Sequence, residues 1–159
     1  MATEAILSTP AGTRTLAGKY LIFVLNGEAY GISVLQVREI IRLTNITAVP
    51  QMPDYVRGVI NLRGKIIPVL DLRLRFGFAD SQNTKQTCII VVQVTLADGK
   101  RTQMGLIVDG VEEAVNIAAG DIEETPDFGS TIATEYLRGM AKLKGRVVAL
   151  LDIDRVLAQ

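Results

Sequence analysis

The sequence contains no histidine and no tryptophan, and Cys88 is its single cysteine. These absences exclude histidine-based catalytic triads, histidine metal sites, zinc sites built from several cysteines, and intramolecular disulfides. Cys88 lies in the apolar run CIIVVQV, which is typical of a buried, unreactive thiol. Because aromatic residues make up only 5% of the chain, aliphatic side chains must form most of the core.

The sequence also lacks a net charge, since 17 Lys and Arg residues balance 17 Asp and Glu residues. A dedicated nucleic-acid binder usually carries a basic excess, because release of counterions from phosphates supplies most of its affinity. Residues 38–75 do hold seven basic residues against three acidic ones. We interpret this local excess as ordinary solvated charge, and a small nucleic-acid-binding β-barrel is the alternative function.

Long apolar runs are missing as well. None approaches the roughly 20 residues that a membrane-spanning helix needs, and the N-terminus lacks the basic-then-apolar pattern of a signal peptide. We therefore expect a cytoplasmic protein. A chain of 159 residues suits one compact domain, or two small lobes with a shared core, and needs no metal or disulfide to fold. Residues 1–17 are small, polar and unpatterned, which predicts a flexible tail.

Short β-rich runs separated by turns fill the rest of the chain. Asn26-Gly27 predicts a tight hairpin, and residues 33–43 predict one helical turn that leads into a strand. A short helix that ends at Gly77 is expected within residues 72–78 and another within 152–158, and loops are expected at 79–86 and 117–133. This pattern predicts a mostly β fold of small barrels with few helices.

An internal repeat is the main architectural signal. YVRGVINLRGKIIPVLDL, residues 55–72, aligns without gaps with YLRGMAKLKGRVVALLDI, residues 136–153, and seven of eighteen positions are identical. Upstream, GISVLQVREI at 31–40 matches GLIVDGVEEA at 105–114 more weakly, with Glu39 aligned to Glu113. Two similar β lobes are therefore expected, at about 18–78 and 87–157, with exchange of strands between lobes allowed. The groove between such lobes is a natural binding surface.

Candidate catalytic, cofactor and metal residues are lacking. Residues 58–66 contain Gly-Lys but have the wrong glycine spacing for a phosphate-binding loop and no following helix. Asp71 and Asp152 follow apolar strands and precede the expected short helices, which favours helix capping over catalysis. The acidic groups at 112–113 and 121–124 lack the spaced ligands of a calcium loop and indicate solvated surface. We therefore predict no catalytic residue, no cofactor, no metal site and no enzymatic activity.

The stretch from Pro53 to Arg73, together with YGISVLQVREI and GLIVDGVEEAV, resembles the CheW family of chemotaxis coupling proteins and the homologous regulatory domain of the kinase CheA. The resemblance covers about residues 18–157 and implies two five-stranded SH3-like barrels around a shared core. It also implies a non-catalytic adaptor that joins the cytoplasmic tip of transmembrane chemoreceptors to the histidine kinase CheA. The expected location is the cytoplasm, at receptor arrays on the inner membrane, with membrane contact only through receptors and no nucleic acid bound.

The resemblance implies protein-binding roles for five residues in the matched motifs. Val37 and Glu39 lie in a segment associated with partner binding, and Gly58, Arg63 and Gly64 lie in a motif whose integrity matters for coupling. Each has a structural alternative: Val37 as core, Glu39 with Arg63 as a lobe-stabilising ion pair, and the glycines as backbone shape alone.

Phe128, in the segment ETPDFGST, is the sixth implied site residue. By the resemblance, it contacts a kinase regulatory domain in ring-shaped assemblies. Its structural alternative is to plug its own loop onto the barrel. The repeat departs from the motif at Lys144, which stands where the first repeat has Arg63.

Overall fold

The computed structural model describes residues 16–78, 82–124 and 135–157, and they form two antiparallel-rich β-sheets. The first sheet has the order β8-β1-β2-β11-β10-β9 and the second has the order β3-β6-β7-β5-β4. The strands of the first sheet are β1 Gly18–Leu25, β2 Glu28–Ser33, β8 Gly110–Ile117, β9 Ile122–Glu123, β10 Leu137–Leu143 and β11 Arg146–Leu151. Those of the second are β3 Val37–Arg42, β4 Val56–Leu62, β5 Lys65–Asp71, β6 Cys88–Thr95 and β7 Arg101–Val108.

Helices in the described residues are few and short. They are two 3-10 helices, Val34–Gln36 and Ala119–Asp121, and two α-helices, α1 Leu72–Arg75 and α2 Ile153–Leu157. The predicted mostly β fold with few helices is confirmed, and so is the helical turn before a strand at residues 33–43. No helix in this part of the chain is long and apolar enough to cross a membrane.

Side-chain pattern explains where the strands lie in each sheet. β6 is a nearly continuous run of Ile and Val, and it occupies a buried position between β3 and β7. β3 lies at a sheet edge and alternates half-buried and exposed residues, as expected for a strand with one face toward the core.

Three two-residue hairpin turns set the register of the paired strands. In each turn both central residues have positive φ, the signature of the type I′ geometry that matches strand twist. The first residues have φ of 51°, 53° and 50°, and the following glycines have φ of 80°, 85° and 80°. The turns are Asn26-Gly27, Arg63-Gly64 and Lys144-Gly145.

Each sheet takes strands from both sequence repeats. β1 and β2 of the first repeat pair with β8 and β11, and β6 and β7 of the second repeat pair with β3 and β5. Within the described residues, the chain therefore passes from one sheet to the other at two crossovers, the 3-10 helix Val34–Gln36 and Asp109. The predicted lobes, at about 18–78 and 87–157, divide the chain by sequence repeat and not by sheet. These limits stay a prediction.

One apolar core joins the sheets. Its buried members come from the first sheet, the second sheet and both α-helices, and include Phe23, Leu72, Leu106, Leu151 and Val156. Burying each such side chain contributes about 1.5–3 kcal/mol. Two smaller clusters lie within the individual sheets. Two similar sheets thus pack around one shared core, as the family resemblance implied.

The strand β9 was not expected, because residues 117–133 were predicted as a loop. It is only two residues long and pairs with Met140 and Ala141 of β10. A segment of this length carries no alternation from which a strand could be inferred. β9 gives the first sheet a sixth strand, whereas five were predicted for each lobe.

Candidate functional site

Arg63 and Glu39 form a bidentate ion pair on the surface of the second sheet. Arg63 extends from the β4–β5 turn, and its Nη1 and Nη2 atoms donate to the two carboxylate oxygens of Glu39 at 2.6 and 2.7 Å. The hydrogen bonds from Arg63 hold the pKa of the Glu39 carboxyl below its usual value, and Glu39 raises the pKa of Arg63. Since β3 and β4 are the opposite edges of the sheet, the pair draws these edges together.

Gly58 allows a second contact between the same edges. Thr47, in the connection that follows β3, exchanges two backbone hydrogen bonds of 2.9 Å with Val59 of β4. A Cβ on Gly58 would lie 2.0 Å from the carbonyl oxygen of Thr47, and the φ of Gly58 is 139°. Only glycine fits this close approach, so the backbone packing at Thr47 requires glycine at position 58.

Val37 lies between the core and the surface at the start of β3. Its side chain is half-buried and packs against the shared core, while its N–H donates to the carbonyl of Val34 and closes the 3-10 helix. Gly64 lies in the turn beside Arg63. Its φ of 85° is a backbone conformation that glycine adopts more readily than other residues. Four of the predicted residues, Glu39, Gly58, Arg63 and Gly64, therefore lie where the two edge strands of the second sheet, β3 and β4, approach each other.

The first sheet carries a second copy of the ion pair. Lys144, at the turn equivalent to Arg63, donates to Glu113 at 3.1 Å, and Glu113 aligns with Glu39. The neighbouring residues Arg146 and Glu112 form a further pair, which lowers the pKa of Glu112. A lysine ammonium is a point charge, whereas the planar guanidinium of an arginine can donate two parallel hydrogen bonds to one carboxylate. The second pair therefore lacks the bidentate geometry of the first.

An open groove lies between the sheets next to Val37. It has a volume of about 880 Å³, and its wall includes Leu35, whose exposed fraction of 85% is the largest of the exposed large hydrophobic residues described. Four cations and two carboxylates line the same groove: Lys19, Arg38, Arg101, Arg138, Asp152 and Asp154. An exposed apolar side chain within a charged rim is typical of a protein-binding surface.

Sequence reasoning predicted a groove between lobes but missed Leu35. The only signal for Leu35 was its place in the 3-10 helix before Val37, where periodicity does not distinguish an exposed residue from a buried one. Phe128 lies outside the described residues, so its contact with a kinase domain stays a prediction.

The carboxylates of Asp71 and Asp152 accept hydrogen bonds at the starts of the two α-helices. Asp71 accepts the N–H of Arg73 at 3.0 Å as the cap of α1, and its two oxygens accept the guanidinium of Arg73 at 2.9 Å each. Asp152 likewise accepts the N–H of Arg155 at the start of α2. The predicted capping roles are confirmed.

Other reactive groups are scarce in this part of the chain. Burial raises the pKa of the Cys88 thiol, which disfavours the nucleophilic thiolate. No group of three His, Cys, Asp or Glu side chains that could hold a metal occurs among residues 16–78, 82–124 and 135–157.

Comparison with known proteins relates this chain to a protein family. The model of the CheW-like domain family matches residues 19–159. A relative named "Chemotaxis protein CheW" from Klebsiella aerogenes is 39% identical over 158 residues, which are 99% of this chain and 92% of the relative. One of the same name from Rhizobium meliloti is 36% identical over 143 residues, 89% of each. The crystal structure of the scaffolding protein TtCheW from Thermoanaerobacter tengcongensis has a TM-score of 0.78 and 36% identity, and the match covers 88% of this chain and 92% of that one.

Proposed function

Because the chain belongs to the CheW-like domain family, we propose that it couples transmembrane chemoreceptors to the histidine kinase CheA. That the chain is a chemotaxis adaptor and not an enzyme follows from the family itself. The partners are the finer proposal. In it, the protein acts in the cytoplasm, at receptor arrays on the inner membrane, and reaches the membrane only through the receptors.

The observation that carries the proposal is the exposed, doubly hydrogen-bonded pair of Arg63 and Glu39. The Arg63 side chain is 75% exposed, and an ion pair in water contributes little to stability. A rigid guanidinium-carboxylate plane on the surface nevertheless offers a partner a fixed pattern of charge. We assign the surface where β3 and β4 approach each other, together with Gly58 and Gly64 that shape it, to partner binding.

The groove beside Val37 suits a helical partner. Leu35 provides an apolar contact, and the surrounding cations and carboxylates provide polar contacts at the rim. An amphipathic helix binds such a groove with its apolar face and pairs its flanking charges with the rim. In the proposal, the groove binds a helix of the receptor tip. The kinase regulatory domain binds Phe128 and the surface around Arg63 and Glu39.

Coupling requires that both partners bind at once and that their states differ in interaction free energy. A receptor change can alter kinase activity only if the adaptor binds the two states of the complex unequally. Repetition of modest interfaces in an array supplies avidity without one tight contact.

The test is an isotope-edited NMR titration of the full chain with the CheA regulatory domain, followed by a receptor-tip fragment. We expect two separate, saturable groups of shifted signals, with Leu35 and Val37 in the receptor group and Arg63 in the kinase group. No shifts with either partner, in a folded protein, would disprove the proposed coupling. A titration with an oligonucleotide is the control, and salt-sensitive shifts there would favour the nucleic-acid alternative.

A further inference from the structure

The two crossovers between the sheets are each held by the same position of the repeat. Gap-free alignment of the repeats places Arg73 of α1 opposite Asp154 of α2. Arg73 contacts the crossover at Asp109, and Asp154 contacts the crossover at Gln36. One position therefore fastens both crossovers, although its charge is opposite in the two repeats.

The Arg73 side chain is buried, and its guanidinium has several hydrogen-bond partners. Arg73 is 3% exposed, and its guanidinium donates to Asp109 at 3.0 Å and to the Asn83 side chain at 2.9 Å, besides its contacts with Asp71. Asp109 in turn accepts the N–H of Asn26 at 2.7 Å. Because breaking this set would leave charges buried, the second crossover is fixed.

The Asp154 contact is more open. The Oδ1 atom of Asp154 accepts the N–H of Thr95 at 3.0 Å and the Nε2–H of Gln36 at 3.2 Å. Gln36 also donates to the carbonyl of Gln93 at 3.4 Å, and the Asp154 side chain is half-buried at the groove wall. A single carboxylate oxygen thus connects α2, the end of β6 and the 3-10 helix Val34–Gln36.

We propose that Asp154 is a positioning residue that holds the 3-10 helix Val34–Gln36 so that Leu35 faces the partner in the groove. The role in binding rests on the proposed function, whereas the hold on the 3-10 helix does not. Within the helix, Ser33 caps the N–H of Leu35 at 3.2 Å and Val37 closes it. Asp154 connects the side chain of Gln36, the last residue of this helix, to Thr95 in β6 of the second sheet.

The first test measures amide hydrogen exchange in the full chain. Asp154→Ala removes the acceptor, and we expect exchange at the Leu35 and Val37 amides to accelerate about tenfold, the size that loss of one hydrogen bond predicts. Exchange at the Val111 amide, beyond the other crossover, stays unchanged. Asp154→Asn keeps an oxygen acceptor and restores slow exchange. Unchanged exchange at Leu35 and Val37 in Asp154→Ala overturns the proposal.

The second test measures binding of a receptor-tip fragment to the same variants. We expect Asp154→Ala to bind several-fold more weakly than Asp154→Asn, which lacks the same rim charge but keeps the oxygen acceptor, while the exposed neighbour variant Arg155→Gln binds like the unmodified chain. Equal binding by Asp154→Ala and Asp154→Asn, together with faster exchange in Asp154→Ala, overturns the positioning role. If the unmodified chain binds no receptor fragment, the proposed function fails, and exchange at Leu35 and Val37 alone decides whether Asp154 holds the 3-10 helix.

Discussion

Arg75 donates its Nε–H to the carbonyl oxygen of Val156 at 3.0 Å, and Val156 is the residue that occupies the position of Arg75 in the second repeat. The guanidinium carbon of Arg75 also lies 5.0 Å from the ring centre of Tyr55 and 5.1 Å from that of Tyr136, which are themselves equivalent. One half-buried arginine of the first repeat therefore contacts the equivalent tyrosines of both repeats and the second α-helix. Its place in the second repeat is taken by a buried apolar residue.

We expect Arg75→Met to destabilise the fold without removing either sheet. The variant keeps an apolar stem of similar length but loses the hydrogen bond to Val156 and both cation–π contacts, so the free energy of unfolding should fall by about 1–3 kcal/mol. Urea unfolding monitored by circular dichroism measures the change. Arg57→Met, at an exposed position of β4, is the matched control and should change stability little. Equal stability of the two variants would contradict the central role of Arg75.

The sequence predicted the parts of the fold that depend on neighbouring residues. The hairpin at Asn26-Gly27 and the capped helix after Asp71 follow from local turn and capping chemistry, which is present in the sequence itself. Exchange of strands between the sheets depends instead on a close approach of distant backbones. A Cβ on Gly31 would lie 2.9 Å from the Leu150 side chain, at the parallel pairing of β2 with β11.

The site was predictable in part for the same reason. Motif resemblance identified Arg63 and Glu39, and the structure brings them into contact, although 24 residues separate them. The contact between Gln36 and Asp154 spans 118 residues and has no sequence pattern of its own. Only the fold shows that these side chains share one wall of the groove.

Exchanging the charges of Arg63 and Glu39 separates a binding role from a stabilising one. Arg63→Glu should weaken partner binding by about tenfold or more and leave the melting temperature nearly unchanged, because the Arg63 side chain is exposed. The double variant Arg63→Glu with Glu39→Arg restores an ion pair but presents the opposite charges to the partner. If the pair contacts a partner, the double variant stays defective. Recovery of binding would show that the pair acts only within the protein.

Titration of Glu39 provides a direct measure of the pair in solution. Because Arg63 lowers the pKa of Glu39 in the folded protein, the pair stabilises the fold above the unfolded pKa and is lost as the pH falls through the lower, folded value. Carboxyl-detected NMR should therefore give Glu39 a midpoint below that of an ordinary glutamate. Arg63→Ala should return the midpoint toward the usual range, whereas Lys142→Ala, on the other sheet, should not change it. An ordinary midpoint in the unmodified chain would mean that the pair does not persist in solution.

Two glycines of the site should respond differently to substitution by alanine. At Gly58 the new Cβ would meet the backbone oxygen of Thr47 at 2.0 Å, which cannot be relieved by moving a side chain, so Gly58→Ala should cost more than about 2 kcal/mol. At Gly64 no atom lies within 4 Å of the new Cβ, and only the φ of 85° opposes it, so Gly64→Ala should cost about 1 kcal/mol. Gly64→Asn, whose side chain tolerates this backbone region, should cost less still. Chemical unfolding ranks the three variants, and a Gly58→Ala variant as stable as Gly64→Asn would show that the connection after β3 is free to leave β4, contrary to the packing described for Thr47.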